Sequence, residues 1–256
     1  MEKLIPSVKC NPSTTLFPII ILFIFINSSL IAQPEWVLNY SGAGQFEDSP
    51  VAIAVDIPGN VYIAGYVYDN DSSSKCVTIK YDKHGEERWV RYYGDPNLVN
   101  GATGIAVDKD QDVYVTGYNY DTDSTSNFFT IKYNNNGDLK WYNYYSSPGI
   151  REDCSTAIAL DEKSHYVYVT GYTYQTDTSS AFVTIKYNQL GEELGVEIYN
   201  GPMNAKNGAV SLTVDKSGDV YVTGYTHDPT SGQNITTIKY NSSAFELKAT
   251  PSRTVR

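Results

Sequence analysis

The chain has 256 residues, with 29 Asp or Glu against 19 Lys or Arg, so its formal net charge at pH 7 is −10. A chain this acidic repels the phosphates of nucleic acids and of anionic lipids, which excludes both as expected partners. Only 19% of its residues are charged, whereas tyrosine occurs 23 times. Such a composition favours strands and turns over helices or disorder.

The first 32 residues have the pattern of an export signal. Lys3 and Lys9 precede an apolar stretch at Leu16–Ile26, and a short polar segment ends at Ala32, where we expect cleavage. The apolar stretch is about half as long as the roughly 20 residues of a spanning helix, so an uncleaved anchor is the less favoured alternative. We therefore expect a secreted, periplasmic or cell-surface protein without a membrane segment after cleavage.

One sequence unit recurs four times between residues 33 and 247. Its core phrase, V-Y-[VI]-[TA]-G-Y, contains glycines that are spaced 52, 54 and 53 residues apart. Two further phrases, [IL]-[AT]-[VL]-D and T-I-K-Y, recur in step with it. A fixed period of this length is typical of propeller blades.

Each unit contains four predicted strands joined by short turns. The first ends at the repeated aspartate and spans Ala52–Val55 in the first unit. The second is V-Y-V-T-G-Y, the third ends in T-I-K-Y, and the fourth carries tryptophan in the first two units. Bulky or β-branched side chains on both faces of the second strand indicate a sheet that is covered on both sides. The pattern predicts an all-β propeller of four-stranded antiparallel blades, and a stack of β-sandwich modules is the alternative. The predicted blades span about residues 49–93, 101–145, 154–200 and 208–247.

The two ends of the array do not make a whole number of units. Residues 35–40 resemble the last strand of a unit, whereas the fourth unit loses its pattern after Tyr240 and leaves an irregular tail at residues 248–256. One interpretation is a closed four-bladed ring, in which the N-terminal strand supplies the missing outer strand of the last blade. The other, which is favoured, is a fragment of a larger propeller.

These phrases, together with T-I-K-Y-N and the following glycine and tryptophan, resemble the bacterial β-propeller repeats known as SBBP. The resemblance covers about residues 35–247 in four consecutive copies. It implies an exported or surface-exposed bacterial protein, and it brings no catalytic residues with it.

Two sets of loops are expected at the same rim of the propeller, and both are acidic. One set joins the second and third strands, and the other joins one blade to the next. Because ligand sites of propellers lie on loop-bearing faces, we predict a binding face there. Its candidate residues are Asp48, Asn100, Asp153, Asn207, Asp69, Asp71, Asp121 and Asp123.

The loops that begin at Asp69 and Asp121 resemble the start of a calcium loop, because oxygen ligands recur at alternate positions. Both lack the later glycine and glutamate of such a loop. We therefore expect turn hydrogen bonds and no cofactor, with Ca²⁺ as the alternative. Cys76 and Cys154 lie two units apart, which predicts two free thiols.

No motif of a catalytic centre occurs in the repeats, and the three histidines lie in different units. Aspartates and lysines that recur in every unit are interpreted as structural, because a catalytic site breaks the symmetry of its repeats. We expect a non-catalytic scaffold or binding module for protein or carbohydrate at the cell exterior. The alternatives are a propeller-type hydrolase or lyase that uses acidic rim residues, and a truncated fragment without autonomous function.

Overall fold

The structure is a computed structural model that describes residues 33–44, 46–70, 72–121, 125–147, 152–176, 178–203, 205–228, 230–241, 243 and 245. The predicted export signal at residues 1–32 and the tail at residues 248–256 lie outside these ranges. No helix in the described part of the chain is long and apolar enough to cross a membrane.

The described residues form four antiparallel sheets, which we call blades, and consecutive strands pair in each of them. Blade 1 contains β1 (Asp48–Val55), β2 (Val61–Asn70), β3 (Ser73–Tyr81) and β4 (Glu87–Tyr93). Blade 2 contains β5 (Asn100–Val107), β6 (Val113–Tyr120), β7 (Ser126–Tyr133) and β8 (Leu139–Tyr145). Blade 3 contains β9 (Asp153–Asp161), β10 (Tyr166–Thr176), β11 (Ser179–Tyr187) and β12 (Glu193–Tyr199). Blade 4 contains β13 (Gly208–Val214), β14 (Val220–Asp228) and β15 (Gly232–Tyr240).

These sheets confirm the predicted all-β fold, and blades 1 to 3 have the predicted four antiparallel strands, whereas blade 4 has three among the described residues. Neighbouring blades pack through opposite faces. Between blades 1 and 2, Tyr62 and Cys76 of blade 1 meet Val115, Phe129 and Ile131 of blade 2 in one apolar cluster. Similar clusters join blade 2 to blade 3 and blade 3 to blade 4. Every sheet between two others is therefore buried on both faces, as the two-sided apolar pattern of the second strands requires.

Ring closure is not seen among the described strands. The first strand of each following blade packs against three strands of the blade before it, whereas no strand of blade 4 packs extensively on blade 1. Closure of the ring within one chain therefore stays a prediction.

Residues 36–40 lie on the free face of blade 1, in the place that a fourth strand takes at the other junctions. The Trp36 ring faces Gly85 as the Trp89 ring faces Gly137 in the next blade. The hydroxyls of Tyr40 and Tyr92 are also hydrogen-bonded to each other. The described residues give this segment no strand partner, and β15 pairs with β14 alone.

The repeated aspartate closes the turn between the first two strands of a blade and holds the next tyrosine. In blade 1, Asp56 Oδ1 accepts the N–H of Asn60 at 2.7 Å, and Oδ2 accepts the hydroxyl of Tyr62 at 2.9 Å. The tyrosine bond measures 3.0 Å in blade 2 and 3.2 Å in blade 4. These aspartates are thus structural, as predicted.

Blade 3 departs from this pattern because its turn is one residue longer. Tyr168 follows Asp161 by seven positions, whereas the spacing is six in the other blades. Asp161 Oδ2 and the Tyr168 hydroxyl are both buried and have no hydrogen-bond partner among the described residues. His165 in this turn has a φ of 59°, in the left-handed region that the equivalent residues of the shorter turns, Gly59, Gln111 and Gly218, also adopt.

We expect that replacing residues 161–166 by the five-residue turn Asp215–Asp219 stabilises the protein by about 1–3 kcal/mol, because two buried polar groups gain a hydrogen bond. Urea unfolding followed by circular dichroism measures the change. Tyr168→Phe should be neutral with the native turn and should cancel the gain with the shorter turn. A gain that persists in Tyr168→Phe would contradict the explanation.

Candidate functional site

The two acids that open blades 1 and 3 hold the chain connections at the rim. Asp48 Oδ2 accepts the N–H of Gly42 at 2.6 Å, and Asp153 Oδ2 accepts the N–H of Ser147 at 2.6 Å. Each carboxylate therefore stabilises the segment that leads into its own blade.

The two asparagines that open blades 2 and 4 also hold the chain connections at the rim. Their side chains act as hydrogen-bond donors, whereas the side chains of the two acids act as acceptors. Asn100 Nδ2 donates to the carbonyl of Asp95 at 2.9 Å, and Asn207 Nδ2 donates to the carbonyl of Asn200 at 2.8 Å. Both side chains are buried. The structure thus shows a role in loop geometry for all four opening residues, and their predicted role in ligand binding stays a prediction.

The loops between the second and third strands are described only in part. Asp69 forms an ion pair with Lys75, and Asp121 accepts the Thr125 hydroxyl at 2.7 Å. Asp71 and Asp123 lie outside the described residues. Within the part of the chain that is described, no three acidic, histidine or cysteine side chains form a group that could hold a metal ion.

The rim also carries a row of tyrosines that we call the tyrosine ladder. In blades 1 to 3, the Y-x-Y sequence near the end of the second strand places two rings on the same face of the sheet. The rings of each pair meet edge to face, with centroids 5.7, 5.8 and 5.9 Å apart. The members of the ladder are Tyr66, Tyr68, Tyr118, Tyr120, Tyr172 and Tyr174.

The ladder continues from one blade to the next. Burial, with smaller contributions from Cys154, Tyr66 and Tyr68, raises the pKa of Tyr118 to about 12. The tyrosines of blade 1 therefore lie close to those of blade 2. All six side chains are half-buried, so part of each ring remains accessible to a ligand.

We call the residue just before the Asp or Asn that begins each blade the rim position. This residue lies next to the tyrosine ladder. The N–H of Tyr120 donates to the carbonyl of Val99 at 2.9 Å, and the N–H of Tyr174 donates to the carbonyl of Glu152 at 3.1 Å. The rim position breaks the symmetry of the repeats, because its side chains differ in charge from blade to blade. They are Glu47, Val99, Glu152 and Lys206.

Glu152 borders Tyr174 through its backbone carbonyl, and its charge acts on Tyr120 and on the Cys154 thiol. Burial raises the pKa of Tyr120, and the charges of Glu152 and Cys154 add to this effect. Burial also raises the pKa of Cys154 to about 11; Glu152 and Asp153 add to the increase, and a hydrogen bond with Tyr172 opposes it. The Cys154 thiol is therefore protonated near neutral pH. The Glu152 side chain is exposed to solvent.

Lys206 is the equivalent residue of blade 4. Its Nζ lies 5.7 Å from the ring centroid of Tyr174, and its side chain is exposed. The Lys206 ammonium and the backbone carbonyl of Glu152 thus both lie next to Tyr174. Glu152 and Lys206 neither recur nor open a blade, so they were not among the predicted site residues. The signal that could have found them is the change of charge at one position of the repeat.

The prediction of two free thiols is confirmed. Cys76 is buried, Cys154 is partly buried, and both are free. Burial raises the pKa of Cys76 to about 12.

No protein-family model and no curated protein sequence matches the chain. Among solved structures, the chain is similar to a gluconolactonase from Xanthomonas campestris, with 13% identity and a TM-score of 0.41 over 73% of this chain and 58% of that one. It is also similar to an α-L-arabinofuranosidase from Clostridium thermocellum, with 13% identity and a TM-score of 0.43 over 78% of this chain and 70% of that one. An endo-arabinanase from Bacillus licheniformis has 12% identity and a TM-score of 0.39 over 75% of this chain and 74% of itself. The chain thus spans less than two thirds of the gluconolactonase.

All three similar structures are named as enzymes, which contradicts the expectation of a non-catalytic scaffold or binding module. That expectation depended on the symmetry of the repeats, and the structure shows where this symmetry fails, at the rim position beside the tyrosine ladder.

Proposed function

We propose that the rim surface formed by the tyrosine ladder, Glu152 and Lys206 binds a carbohydrate and hydrolyses an ester or lactone bond in it. The observation that carries the proposal is the broken symmetry of the rim position, which places an exposed acidic residue, Glu152, and an exposed basic residue, Lys206, next to Tyr174.

The tyrosines supply the binding surface of the proposed site. Aromatic rings offer apolar faces to the C–H groups of a sugar ring, and the hydroxyl groups at their edges can hydrogen-bond to sugar hydroxyls. The edge-to-face pairs fix the orientation of the rings before a ligand arrives. A surface that is ordered in advance loses less entropy on binding.

Glu152 and Lys206 supply the chemistry. The Glu152 carboxylate acts as the general base that takes a proton from water as the water oxygen attacks the acyl carbon. The Lys206 ammonium stabilises the negative charge that develops on the acyl oxygen. The tetrahedral intermediate then collapses, the ester or lactone C–O bond breaks, and the protonated Glu152 returns its proton to the leaving alcohol oxygen. One carboxylate with one ammonium suits an acyl substrate, because hydrolysis of a glycosidic bond ordinarily uses two carboxyl groups. The Cys154 thiol takes no part as nucleophile, because its raised pKa keeps it protonated.

We expect Glu152→Gln to lower kcat for the hydrolysed substrate by about 10²- to 10⁴-fold, because the amide cannot accept the proton from water. The measurement is the hydrolysis rate of a panel of acetylated sugars and aldonolactones, together with the Kd of a non-hydrolysable sugar by calorimetry. The Kd should change little, because the tyrosine surface is intact.

Glu47→Gln is the matched control, because Glu47 occupies the rim position of blade 1. It should leave kcat unchanged. The proposal is rejected if the unaltered protein hydrolyses no member of the panel, or if Glu152→Gln and Glu47→Gln are equally active.

Export to the cell exterior and membership of the SBBP-type repeats are part of the same proposal. The sequence pattern of residues 1–32 supports export, and the four repeats support the membership. Fractionation of expressing cells, with N-terminal sequencing of the exported chain, tests export and the expected cleavage after Ala32.

A further inference from the structure

We propose that the chain docks head to tail on a second copy of itself, with blade 4 of one copy against blade 1 of the other. Two copies then complete a ring of eight blades, within the range of roughly four to eight that propellers use. This inference goes beyond the proposed function and does not depend on it.

The free face of blade 4 is the face that every other blade buries against its successor. One position on the third strand, two residues before the threonine of T-I-K-Y, shows that this face of blade 4 is uncovered. Its side chain is Cys76, Phe128 and Phe182 in blades 1 to 3, and each of these is at most 1% exposed. In blade 4 the same position holds Ile235, which is 90% exposed. An isoleucine at a position that packing buries three times in the same molecule indicates a missing neighbour.

The free face of blade 1 is the other half of the same interface. On the first strand, Ile105 and Ile158 pack into the clusters between blades, and Leu212 is 9% exposed. Ile53 holds the equivalent position in blade 1 and is 67% exposed. Blade 1 thus offers the surface that blades 2, 3 and 4 each turn towards the blade before them.

The strand edges are complementary as well. Blade 4 has three strands, and β15 is its edge among the described residues. Residues 36–40 lie on blade 1 in the place of a preceding blade's fourth strand, as the contact between Trp36 and Gly85 shows. Docking places β15 of one copy beside residues 36–40 of the other. Backbone hydrogen bonds between them then complete the fourth blade and cover an exposed strand edge.

A groove of about 200 Å³ lies between residues 36–40 and blade 1. Its floor is apolar and includes Ile63, Val77 and Ile79. At the other junctions, the side chain equivalent to Ile235 packs within the apolar cluster between two blades. In the docked pair, the Ile235 side chain of the second copy therefore fills this groove.

A second copy is the occupant that the structure supports, because it continues an interface that the chain already forms three times. The two faces differ from each other, so the contact is heterologous, and such contacts close into rings or extend into fibres. Four blades from each copy suffice to close a ring. Within one chain, blade 4 does not pack extensively on blade 1.

The test uses Ile53→Asp and Ile235→Asp in the full chain, followed by light scattering coupled to size exclusion over a range of concentrations. We expect the unaltered chain to form a dimer. Each aspartate should raise the dissociation constant by about 100-fold or more, because it places an uncompensated charge in an apolar contact. Both positions are exposed within one chain, so folding is preserved, and circular dichroism checks this.

Leu190→Asp is the matched control, because Leu190 is 75% exposed in a hairpin outside both faces. It should leave the dimer intact. An equimolar mixture of Ile53→Asp and Ile235→Asp should recover dimers, because one of the two contacts in the mixed pair carries both native isoleucines.

Three outcomes overturn the proposal. The first is a monomer at every concentration of the unaltered chain, which is the result for a ring closed within one chain. The second is a dimer that neither aspartate weakens. The third is a mixture of the two variants that stays monomeric.

Discussion

Replacement of Gly171 by alanine is expected to destabilise the protein by about 4 kcal/mol or more and to abolish a cooperative unfolding transition. Gly171 is the glycine of V-Y-V-T-G-Y in blade 3. A Cβ there would overlap the carbonyl oxygen of Cys154 on β9 and would lie 2.7 Å from Cζ of Phe128 in blade 2. The first atom belongs to a paired backbone and the second to a buried ring, so neither can move aside cheaply.

A β-bulge next to Gly171 causes this close approach of the Cys154 carbonyl. The pairing of β9 with β10 skips Thr156, so that Thr170 pairs with Ala157 and Gly171 pairs with Ser155. This irregularity turns the Cys154 carbonyl towards the glycine, and a bulge of this kind recurs in the other three blades. The glycine is therefore required for close approach of the backbone.

Gly104→Ala is the matched control for this experiment. Its Cβ would lie 3.2 Å from Cγ2 of Ile158, the end of a side chain, and alanine already occupies the equivalent positions Ala52 and Ala157. We expect a change within about 1 kcal/mol. Thermal and urea unfolding followed by circular dichroism compares the variants. A Gly171→Ala protein that melts cooperatively near the native temperature would contradict the steric argument.

The repeat made the architecture predictable, and the bulges explain where the prediction of strands fell short. The phrases that recur mark four strands in each unit, and the described residues contain all of these strands except the fourth of blade 4. The first strand was predicted to begin at Ala52, whereas β1 begins at Asp48. Alternation of apolar and polar residues is interrupted between Pro50 and Ala52, where the register shifts. A period of two cannot be followed across such a shift.

The site was less predictable, because the direction of a polar side chain depends on the loop that carries it. Asp48 and Asn100 were predicted to bind a ligand, whereas the tyrosines were not among the predicted site residues. In the structure, Asp48 bonds to Gly42 and Asn100 is buried, whereas Tyr120 and Tyr174 remain partly accessible at the rim. Both kinds of residue recur in most units, so recurrence could not separate packing from binding. The charge change at the rim position could have done so.

The segment after Tyr240 shows that a stretch without the repeat pattern can still contribute a side chain to the core. No phrase of the unit recurs there, yet Phe245 is 2% exposed and packs between Tyr168 and Tyr240, with both ring centroids 5.4 Å away. Trp89 and Trp141 hold the same position between equivalent tyrosines of the earlier blades. Blade 3 has Gly195 where those blades have tryptophan. An aromatic ring from a distant part of the chain thus replaces the one that the repeat has lost.

Phe245→Ala is therefore expected to destabilise the protein by about 3 kcal/mol, as removal of a buried aromatic side chain from a packed core does. The loss should appear as a lower midpoint of urea unfolding with an unchanged slope. Phe46→Ala is the control, because the Phe46 side chain is 42% exposed, and its loss should cost less than about 1 kcal/mol.

A rescue experiment separates this role from a general loss of hydrophobic area. A Cβ at Gly195 would lie 2.6 Å from the carbonyl oxygen of Phe245, so Gly195→Trp alone should destabilise the native chain. In a chain that ends at Tyr240 this obstacle is gone, and the tryptophan can occupy the site as Trp89 and Trp141 do. Gly195→Trp should then recover part of the stability that truncation removes. If the tryptophan destabilises both chains equally, Phe245 does not stand in for the missing ring.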